Sequence, residues 1–376
     1  MSSKNIRIGI TGQSGFVGTH LFNYLGLQNN VDRIEFQDSY FHSQNELEAF
    51  VRKCDVIVHL AAVNRHHDPK SLYEINVSLV QNLIRACENT NSKPHILFSS
   101  STQENLDNLY GKSKLKGREL IEQWAEKHQS CFTGLVIPNV FGPFGIPLHN
   151  SFIATFCHKL THKEEPEIHT DSDVQLIYVG ELVEEIFQKI IKPDNGITKY
   201  YVPYSKEIKV SEVLDLLYGF KNLYFSQGII PSLNDKFEKN LFNTFLCYVD
   251  HRNFFPFNLT MQSDDRGSFI ETVKLNSGGQ VSFSTTKPGI TRGNHFHTRK
   301  AERFAVIRGE ALIELRRIGT NEIMQFKLSG VKPSFVDMPI WYTHNIKNIG
   351  DQDLYTIFWI NEHYNPEDGD TFFEEV

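Results

Sequence analysis

The sequence predicts two domains, an α/β domain built on a doubly wound parallel sheet and then an all-β domain. In the first half of the 376 residues, short apolar runs alternate with helical patterns, which is typical of βαβ units. After about residue 250, turn sequences such as Lys287-Pro288-Gly289 and Arg308-Gly309-Glu310 separate short β-rich runs. The stretch near His251–Pro256 is the predicted boundary, so the domains cover 1–256 and 257–376.

The individual elements follow from these patterns. In the N-terminal domain, apolar runs predict strands and amphipathic spacing predicts helices. The strands are expected at Ile6–Ile10, Arg33–Phe36, Val56–Leu60, Ile96–Ser100 and Leu135–Val140, and the helices at Phe16–Leu25, Leu79–Cys87 and Ser113–His128. In the C-terminal domain, Phe304–Ile307 and Tyr355–Ile360 are the clearest predicted strands.

Composition excludes several classes of protein. The net charge of −7 argues against a broad nucleic-acid-binding surface. The N-terminus has no apolar core of signal-peptide length, and no run is long enough to span a bilayer. The five cysteines form no CxxC pair, so neither a disulfide framework nor a thiolate zinc site is indicated. We therefore expect a cytoplasmic protein that binds neither nucleic acid nor membrane.

A glycine-rich turn follows the first predicted strand and opens the first predicted helix. It reads Thr11-Gly12-Gln13-Ser14-Gly15-Phe16-Val17-Gly18. Small residues let the backbone approach a pyrophosphate, and the helix N-terminus supplies N–H donors. Alone, the motif is also compatible with a tight turn whose glycines serve packing.

A second motif raises the probability of a dinucleotide site. Ser101 ends a predicted strand, and Tyr110 and Lys114 lie four residues apart, on one face of the next helix. A lysine cation beside a phenol should lower the pKa of Tyr110, which makes it a candidate proton donor to a carbonyl under reduction. The same spacing is common on solvated helix faces. Its combination with the glycine-rich turn and His59-Leu60-Ala61-Ala62 favours a reductase.

The C-terminal domain contains a pattern of potential metal ligands. His295 and His297 alternate along a strand and should point into one cavity, Glu302 follows a short turn, and His344 comes from a later strand. Three imidazoles and one carboxylate suit Zn²⁺, Fe²⁺, Mn²⁺ or Ni²⁺. Two ordinary histidines would be the usual explanation of an isolated HxH, but four potential ligands at these spacings favour a metal site.

The N-terminal motifs resemble the extended short-chain dehydrogenase/reductase family, many members of which act on nucleotide sugars. The resemblance implies a Rossmann-type fold, catalysis by Ser101, Tyr110 and Lys114, and a role for Lys114 in holding the nicotinamide ribose. Val136 departs from the family, because an arginine often precedes the Pro-Asn pair there, and the Ser101–Tyr110 segment is short. The matching residues also include Asn76-Val77 and Pro138-Asn139, and the implied cofactor contacts are Thr11, Gly12, Gly15, Phe16, Val17, Gly18, Ala61, Ala62, Tyr110 and Lys114.

The choice between NADH and NADPH depends on few residues. Asp38 could accept the ribose hydroxyls of NAD, or it could cap the next turn. Arg65 could instead meet a 2′-phosphate. NADPH is expected from the family resemblance, with NADH still open.

The C-terminal blocks resemble the paired motifs of the cupin family, which implies a jelly-roll β-barrel. Trp341 replaces the usual glycine of the second block, and a narrower barrel mouth is expected. Asp265–Glu271 and the 361–371 tail resemble sugar-nucleotide 3,5-epimerases. Together the domains resemble bifunctional capsular polysaccharide enzymes in which such a reductase is fused to a cupin.

That resemblance implies a homodimer that binds Zn²⁺ and NADPH and acts on a UDP-sugar. The cupin would epimerise C3 of a UDP-linked 2-acetamido-2,6-dideoxy-4-hexulose, and the reductase would then reduce C4 to give UDP-2-acetamido-2,6-dideoxy-L-talose. Lys274, Glu302 and Tyr342 are candidates for the base at C3. Two alternatives remain: a reductase whose cupin only binds sugar or dimerises, and an iron-dependent cupin dioxygenase fused to a reductase.

Overall fold

The computed structural model describes residues 5–149 and 151–376, which form two compact units. The first unit contains residues up to 152 together with 172–209, and the second contains 153–171 together with 210–376. Neither unit is one continuous stretch, since helices from 153–171 and 210–254 pack with the C-terminal strands. The division into functional domains at residue 256 stays a prediction.

The first unit is a doubly wound α/β domain. Its strands are β1 (Ile6–Thr11), β2 (Val31–Ile34), β3 (Val56–His59), β4 (His95–Ser101), β5 (Phe132–Ile137), β6 (Asn139–Phe141), β7 (Asp173–Tyr178), β8 (Ile197–Tyr201) and β9 (Lys206–Lys209). The main sheet has six parallel strands in the order β2-β1-β3-β4-β5-β8, and β6, β7 and β9 form a second sheet. The helices are α1 (Phe16–Leu25), α2 (Gln44–Val51), α3 (Pro69–Thr90), α4 (Leu109–His128) and α6 (Val179–Ile191), and single 3₁₀ turns cover Asp38–His42 and Thr102–Asn105.

Alternating strand residues build a core on each face of this sheet. Ile8 and Val58 point towards α1 and α6, whereas Ile57 and Phe98 point towards α2, α3 and α4. Continuous apolar strands are expected when both faces of a parallel sheet are covered. The predicted doubly wound fold is therefore confirmed.

Several predicted bounds differ from the structure: β2 covers Val31–Ile34 instead of Arg33–Phe36, and α4 begins at Leu109 instead of Ser113. Two further differences have a clear local cause. Helix α3 starts at Pro69, ten residues before the predicted Leu79, because Asp68 caps its N-terminus by accepting from the backbone N–H groups of Lys70 and Ser71. Strand β5 ends at Ile137, not at Val140. Pro138 follows and has no N–H for the ladder, so Asn139–Phe141 joins the second sheet instead.

The second unit is a β-barrel with associated helices. The helices are α5 (Phe152–Thr161), α7 (Val210–Gln227), α8 (Lys236–Leu246) and α9 (His251–Phe254). The strands are β10 (Ile229–Ile230), β11 (Phe257–Asn258), β12 (Met261–Asp264), β13 (Gly267–Ile270), β14 (Lys274–Leu275), β15 (Gln280–Thr286), β16 (Thr291–Phe296), β17 (Glu302–Arg308), β18 (Glu310–Arg317), β19 (Ile323–Ser329), β20 (Ser334–Met338), β21 (Tyr342–Asn348), β22 (Leu354–Ile360) and β23 (Phe372–Phe373). Two five-stranded antiparallel sheets, β11-β20-β17-β22-β15 and β19-β18-β21-β16-β23, form the barrel, and this confirms the all-β prediction.

A buried ion pair joins helix α7 to the barrel. The guanidinium of Arg303, which is fully buried, donates to both carboxylate oxygens of Asp337 at 2.7 and 2.8 Å. Tyr224 of α7 donates to the same carboxylate at 2.6 Å, and the Arg303 guanidinium also donates to the Gly228 carbonyl. These polar groups satisfy one another, so the interface between α7 and the barrel has a fixed geometry.

Candidate active site and metal centre

The glycine-rich turn lies where β1 and β3 leave the sheet. Since β2 lies on one side of β1 and β3 on the other, this is the topological switch point at which dinucleotides bind. Gly12 has a φ of +72°, and a Cβ there would lie 2.8 Å from the Ala61 backbone. A Cβ on Gly18 would lie 2.2 Å from the Gly12 carbonyl oxygen. Only glycine fits both positions, and the turn is thereby held against the Leu60–Ala62 segment.

Polar contacts support the same turn. Thr11 Oγ1 lies 2.7 Å from Nδ1 of His59, and burial lowers the pKa of this imidazole to about 3. Ser14 donates to the Asp38 carboxylate at 2.8 Å, which brings Asp38 next to the turn as the cofactor prediction requires. Phe16 and Val17 form the first turn of α1, whose N-cap is Gly15. The predicted cofactor residues therefore meet at one edge of the sheet.

The predicted catalytic residues lie at the carboxyl end of β4 and in the first turns of α4. Ser101 ends β4, and its hydroxyl accepts from the Gln103 backbone N–H at 3.2 Å. Lys114 is buried, donates to the Ser99 hydroxyl at 3.3 Å, and has its Nζ 5.8 Å from the centre of the Tyr110 ring. The structure therefore brings Lys114 and Tyr110 together, as the helical spacing predicted.

The sequence predicts that the pKa of Tyr110 is lowered, and this direction is wrong for the cofactor-free protein. Burial raises the pKa of the phenol to about 12, and burial lowers the pKa of Lys114 to about 8. Both shifts have the same cause, since an apolar environment disfavours the charged form of either group. A neutral phenol is the form that can donate a proton, so the observed shift is compatible with the role of Tyr110.

Sequence reasoning missed Glu104, which follows Ser101 in the active-site loop. Its carboxylate is fully buried, accepts from the Ser100 hydroxyl at 2.6 Å and from Arg118 Nε at 3.1 Å, and pairs with Lys199. Burial alone would raise the pKa of Glu104, but these partners lower it overall. Because Arg118 lies one turn after Lys114 on α4, Glu104 connects the end of β4 to the catalytic helix. A glutamate in a polar loop carries no sequence signal of such burial.

The loop also contacts α4 through Gly111. A Cβ at this position would lie 1.9 Å from the Gln103 carbonyl oxygen. The glycine after Tyr110 therefore permits a close approach of the short 101–110 segment to the catalytic helix.

The four predicted metal ligands converge inside the barrel. Their ligand atoms all lie within 4.8 Å of one another, and Nε2 of His344 and of His297 lie 3.0 and 3.4 Å from Glu302 Oε2. His295 and His344 face each other on β16 and β21. Glu302 lies on β17, which belongs to the other sheet of the barrel, and it faces the histidines from there. His297 lies one residue beyond β16, yet its ring centre is 5.0 Å from that of His295.

The cluster fits a divalent cation. Within the described residues, Nε2 of His297, Nε2 of His344 and Oε2 of Glu302 have no well-aligned hydrogen-bond partner, although all three are buried. Burial lowers the pKa of His295 to about 4, which favours the neutral form that binds metal. Burial acts to raise the pKa of Glu302, but the neighbouring imidazoles of His297 and His344 lower it overall. Buried polar atoms without partners that point at one another are typical of a metal site.

Trp341, the departure from the cupin pattern, adopts a φ of +61°. The glycine usual at this position would reach that region without strain. The indole is buried against Phe296, with ring centres 5.6 Å apart, and the Trp341 backbone N–H donates to the His297 carbonyl at 2.7 Å. The effect of Trp341 on the barrel mouth stays a prediction.

Comparisons with known proteins find relatives of both the N-terminal and the C-terminal part of the chain. The NAD dependent epimerase/dehydratase family matches residues 8–202, and the polysaccharide biosynthesis C-terminal domain matches residues 262–372. A UDP-2-acetamido-2,6-beta-L-arabino-hexul-4-ose reductase from Pseudomonas aeruginosa is 32% identical over 370 residues, which are 98% of each chain. A crystal structure of the capsular polysaccharide assembling protein CapF from Staphylococcus aureus is 39% identical, with a TM-score of 0.62 over 98% of this chain and 100% of CapF.

A third relative shows similarity of fold. RMD from Pseudomonas aeruginosa, solved with NADPH, is 20% identical, with a TM-score of 0.52 over 58% of this chain and 84% of RMD. The chain belongs to the NAD dependent epimerase/dehydratase family, in the CapF-like group of nucleotide-sugar enzymes of capsular polysaccharide synthesis. The predicted resemblance to a reductase–cupin fusion is confirmed, as are an enzymatic function and an NAD(P) cofactor. In the part of the chain that the structure describes, no helix has both the length and the apolarity needed to cross a bilayer.

Proposed function

We propose that the protein converts a UDP-linked 2-acetamido-2,6-dideoxy-4-hexulose to UDP-2-acetamido-2,6-dideoxy-L-talose in two steps. The barrel centre epimerises C3, and the Ser101–Tyr110–Lys114 site then reduces C4. The observation that carries this proposal is that one chain brings together two chemically different clusters of candidate residues, each inside its own compact unit. The hexulose named in the Pseudomonas relative is a 4-ketone, and a 4-ketone is what both reactions need.

The order of the steps follows from carbonyl chemistry. The hydrogen at C3 is acidic only while C4 is a ketone, because only then is the carbanion delocalised onto oxygen as an enolate. After reduction that stabilisation is lost. Epimerisation must therefore come first, and reduction traps its product.

In the barrel, His295, His297, Glu302 and His344 would hold one Zn²⁺ per chain. A bound cation supplies positive charge that stabilises an enolate oxygen. Lys274, Glu302 and Tyr342 remain the candidates for the C3 base. Lys274 pairs with Glu271 at 2.8 Å and is partly exposed, whereas Tyr342 is buried and its pKa is raised by burial. A buried phenol of high pKa is a poor base, so Tyr342 is better suited to return a proton than to remove one.

In the reductase site, a bound NADPH would supply the hydride. Tyr110 would donate a proton to the C4 oxygen, and the Ser101 hydroxyl would hold the same oxygen. Lys114 would stabilise the phenolate left behind and hold the nicotinamide ribose. We expect NADPH in preference to NADH, and a cytoplasmic homodimer, as the family resemblance of the sequence implies.

The test uses the full-length protein and the UDP-4-keto sugar in D₂O. Without NADPH, deuterium should enter at C3, and with NADPH the talo product should form. Tyr110→Phe should abolish NADPH oxidation and leave the C3 exchange intact. His295→Ala/His344→Ala should lose the metal and the C3 exchange but still oxidise NADPH with a ketone substrate.

Each alternative has its own outcome. Full talo production by the metal-free double variant would mean that the barrel only binds sugar or mediates dimerisation. Stoichiometric iron and consumption of oxygen would indicate a dioxygenase. Loss of both activities in Tyr110→Phe would contradict the assignment of the two reactions to separate sites.

A further inference from the structure

The turn between two of the metal ligands is held by a residue far away in the sequence. Asp370, in the C-terminal tail, is buried, and its carboxylate accepts four hydrogen bonds from this turn. Oδ1 accepts from the Thr298 backbone N–H at 3.1 Å and from the Thr298 hydroxyl at 2.6 Å. Oδ2 accepts from the backbone N–H groups of Arg299 and Lys300 at 3.0 and 3.2 Å. One carboxylate thereby fixes three successive residues between His297 and Glu302.

The same residue also contacts a ligand directly. The backbone carbonyl of Asp370 accepts from Nδ1 of His297. A proton held on Nδ1 leaves Nε2 with its lone pair, and Nε2 is the atom that lies 3.4 Å from Glu302. Asp370 adopts a φ of +41°, a left-handed conformation that is uncommon for a residue with a side chain. This backbone conformation lets its carbonyl and its carboxylate reach the ligand turn together.

Other tail residues contact the turn but not a ligand. Lys300 is buried and donates to the Gly369 carbonyl at 2.7 Å. Arg299, which is partly exposed, donates to Glu362 and Asp368 at 3.1 and 2.7 Å. These contacts attach the tail to the barrel without touching a ligand. A variant that lacks one of them therefore shows how much tail attachment alone contributes to metal binding.

We propose that Asp370 is a positioning residue of the metal centre, which sets the tautomer of His297 and the spacing between His297 and Glu302. This inference rests on the proposed metal site. Loss of the carboxylate would free the 298–300 turn, and the ligands would have to become ordered when the metal binds. Loss of such outer partners typically lowers metal affinity about 10–100-fold.

The experiment measures the affinity of the full-length protein for Zn²⁺ by competition with a chromophoric chelator. Asp370→Asn is nearly isosteric, but its amide nitrogen would replace one of the two acceptor oxygens and would place N–H groups against donors of the turn. We expect the Kd for Zn²⁺ to rise by at least about 10-fold, and the visible spectrum of the Co²⁺ form to change because the ligand geometry changes. Arg299→Ala is the matched control, since it weakens the tail attachment on the exposed side, and its Kd should stay within about 2-fold.

The outcomes are separable. Equal Kd values and Co²⁺ spectra for the wild type and Asp370→Asn would overturn the proposal, as would an equal loss of affinity in Arg299→Ala. A wild type that takes up no stoichiometric metal would instead contradict the proposed function. If Asp370→Asn does not fold, Thr298→Val decides, because it removes only the hydroxyl hydrogen bond. A raised Kd in Thr298→Val would support the positioning role, and an unchanged one would overturn it.

Discussion

Lys114 should make the cofactor-free protein less stable, because it places a charge in a buried position. Burial lowers its pKa from 10.5 to about 8. At about 1.4 kcal/mol for each pKa unit, this difference corresponds to about 3 kcal/mol against the charged form in the folded protein. Lys114→Met keeps the length of the side chain and removes the charge. The variant also loses the hydrogen bond to the Ser99 hydroxyl, worth about 1 kcal/mol, so the net gain in stability should be about 2 kcal/mol at pH 7.

The gain should depend on pH in a defined direction. Below pH 8, Lys114 is charged in both folded and unfolded protein, and the full cost is present. Between pH 8 and 10.5 the folded protein releases this proton before the unfolded chain does, so the stability of the wild type rises relative to the variant. Above pH 10.5 the lysine is neutral in both states. There Lys114→Met should be the less stable protein by about 1 kcal/mol, the value of the lost hydrogen bond.

The assay is urea unfolding of the cofactor-free protein at several pH values, followed by tryptophan fluorescence, because Trp124 is buried in α4, the helix that carries Lys114. Lys112→Met is the control, since Lys112 is an exposed neighbour that pairs with Asp107, and it should change stability by less than about 0.5 kcal/mol. Reduction should fall at least about 100-fold in Lys114→Met only. An unchanged or lower stability of Lys114→Met at pH 7, or a difference that does not depend on pH, would refute this reasoning.

Three further predictions concern buried contacts. Glu104→Gln should lower the free energy of unfolding by about 3 kcal/mol, because the buried carboxylate that pairs with two cationic side chains is lost. The variant should also reduce the ketone more slowly. Thermal unfolding and NADPH oxidation measure these two effects, and wild-type values in both would contradict the prediction. Asp337→Asn should cost about 3–5 kcal/mol in urea unfolding, because Arg303 stays buried without its counter-ion, and a loss under 1 kcal/mol would speak against that account. Gly111→Ala should lower kcat for reduction while leaving the Zn²⁺ content unchanged, since a Cβ would displace the Gln103 carbonyl; an unaltered kcat would rule this out.

Local patterns were sufficient for part of the fold and the site. Helix Phe16–Leu25 was predicted with its observed bounds, because an apolar stripe and a glycine N-cap define it within ten residues. The convergence of the four candidate metal ligands was predicted for a similar reason, since a period of two residues places His295 and His297 on one side. Two errors in the predicted bounds had a visible cause in the sequence. The apolar run of β5 continues past Pro138, which ends the strand, and the apolar pattern of α3 begins well after Asp68, which caps the helix.

Long-range relations could not be predicted from the sequence. The pKa of Tyr110 depends on burial, which only the packed structure fixes, and Lys114 alone suggested the opposite direction. Asp370 contacts a turn about seventy residues earlier, and no periodicity connects the two positions. Glu104 has the composition of a surface loop, but Arg118 and Lys199 from other elements enclose it.

The composition of the second unit has a practical consequence for dissecting the protein. A stop codon at residue 256 would separate the two predicted activities, but it would leave Tyr224 and Phe254 of the helices without their barrel partners Asp337 and Phe257. The complementary fragment, starting at 257, would expose Arg303 and Asp337. Both fragments would then be prone to aggregate. An N-terminal fragment without reductase activity would therefore give no information about the catalytic residues. The separate activities of the two sites are better tested by single substitutions in the full-length chain than by truncation.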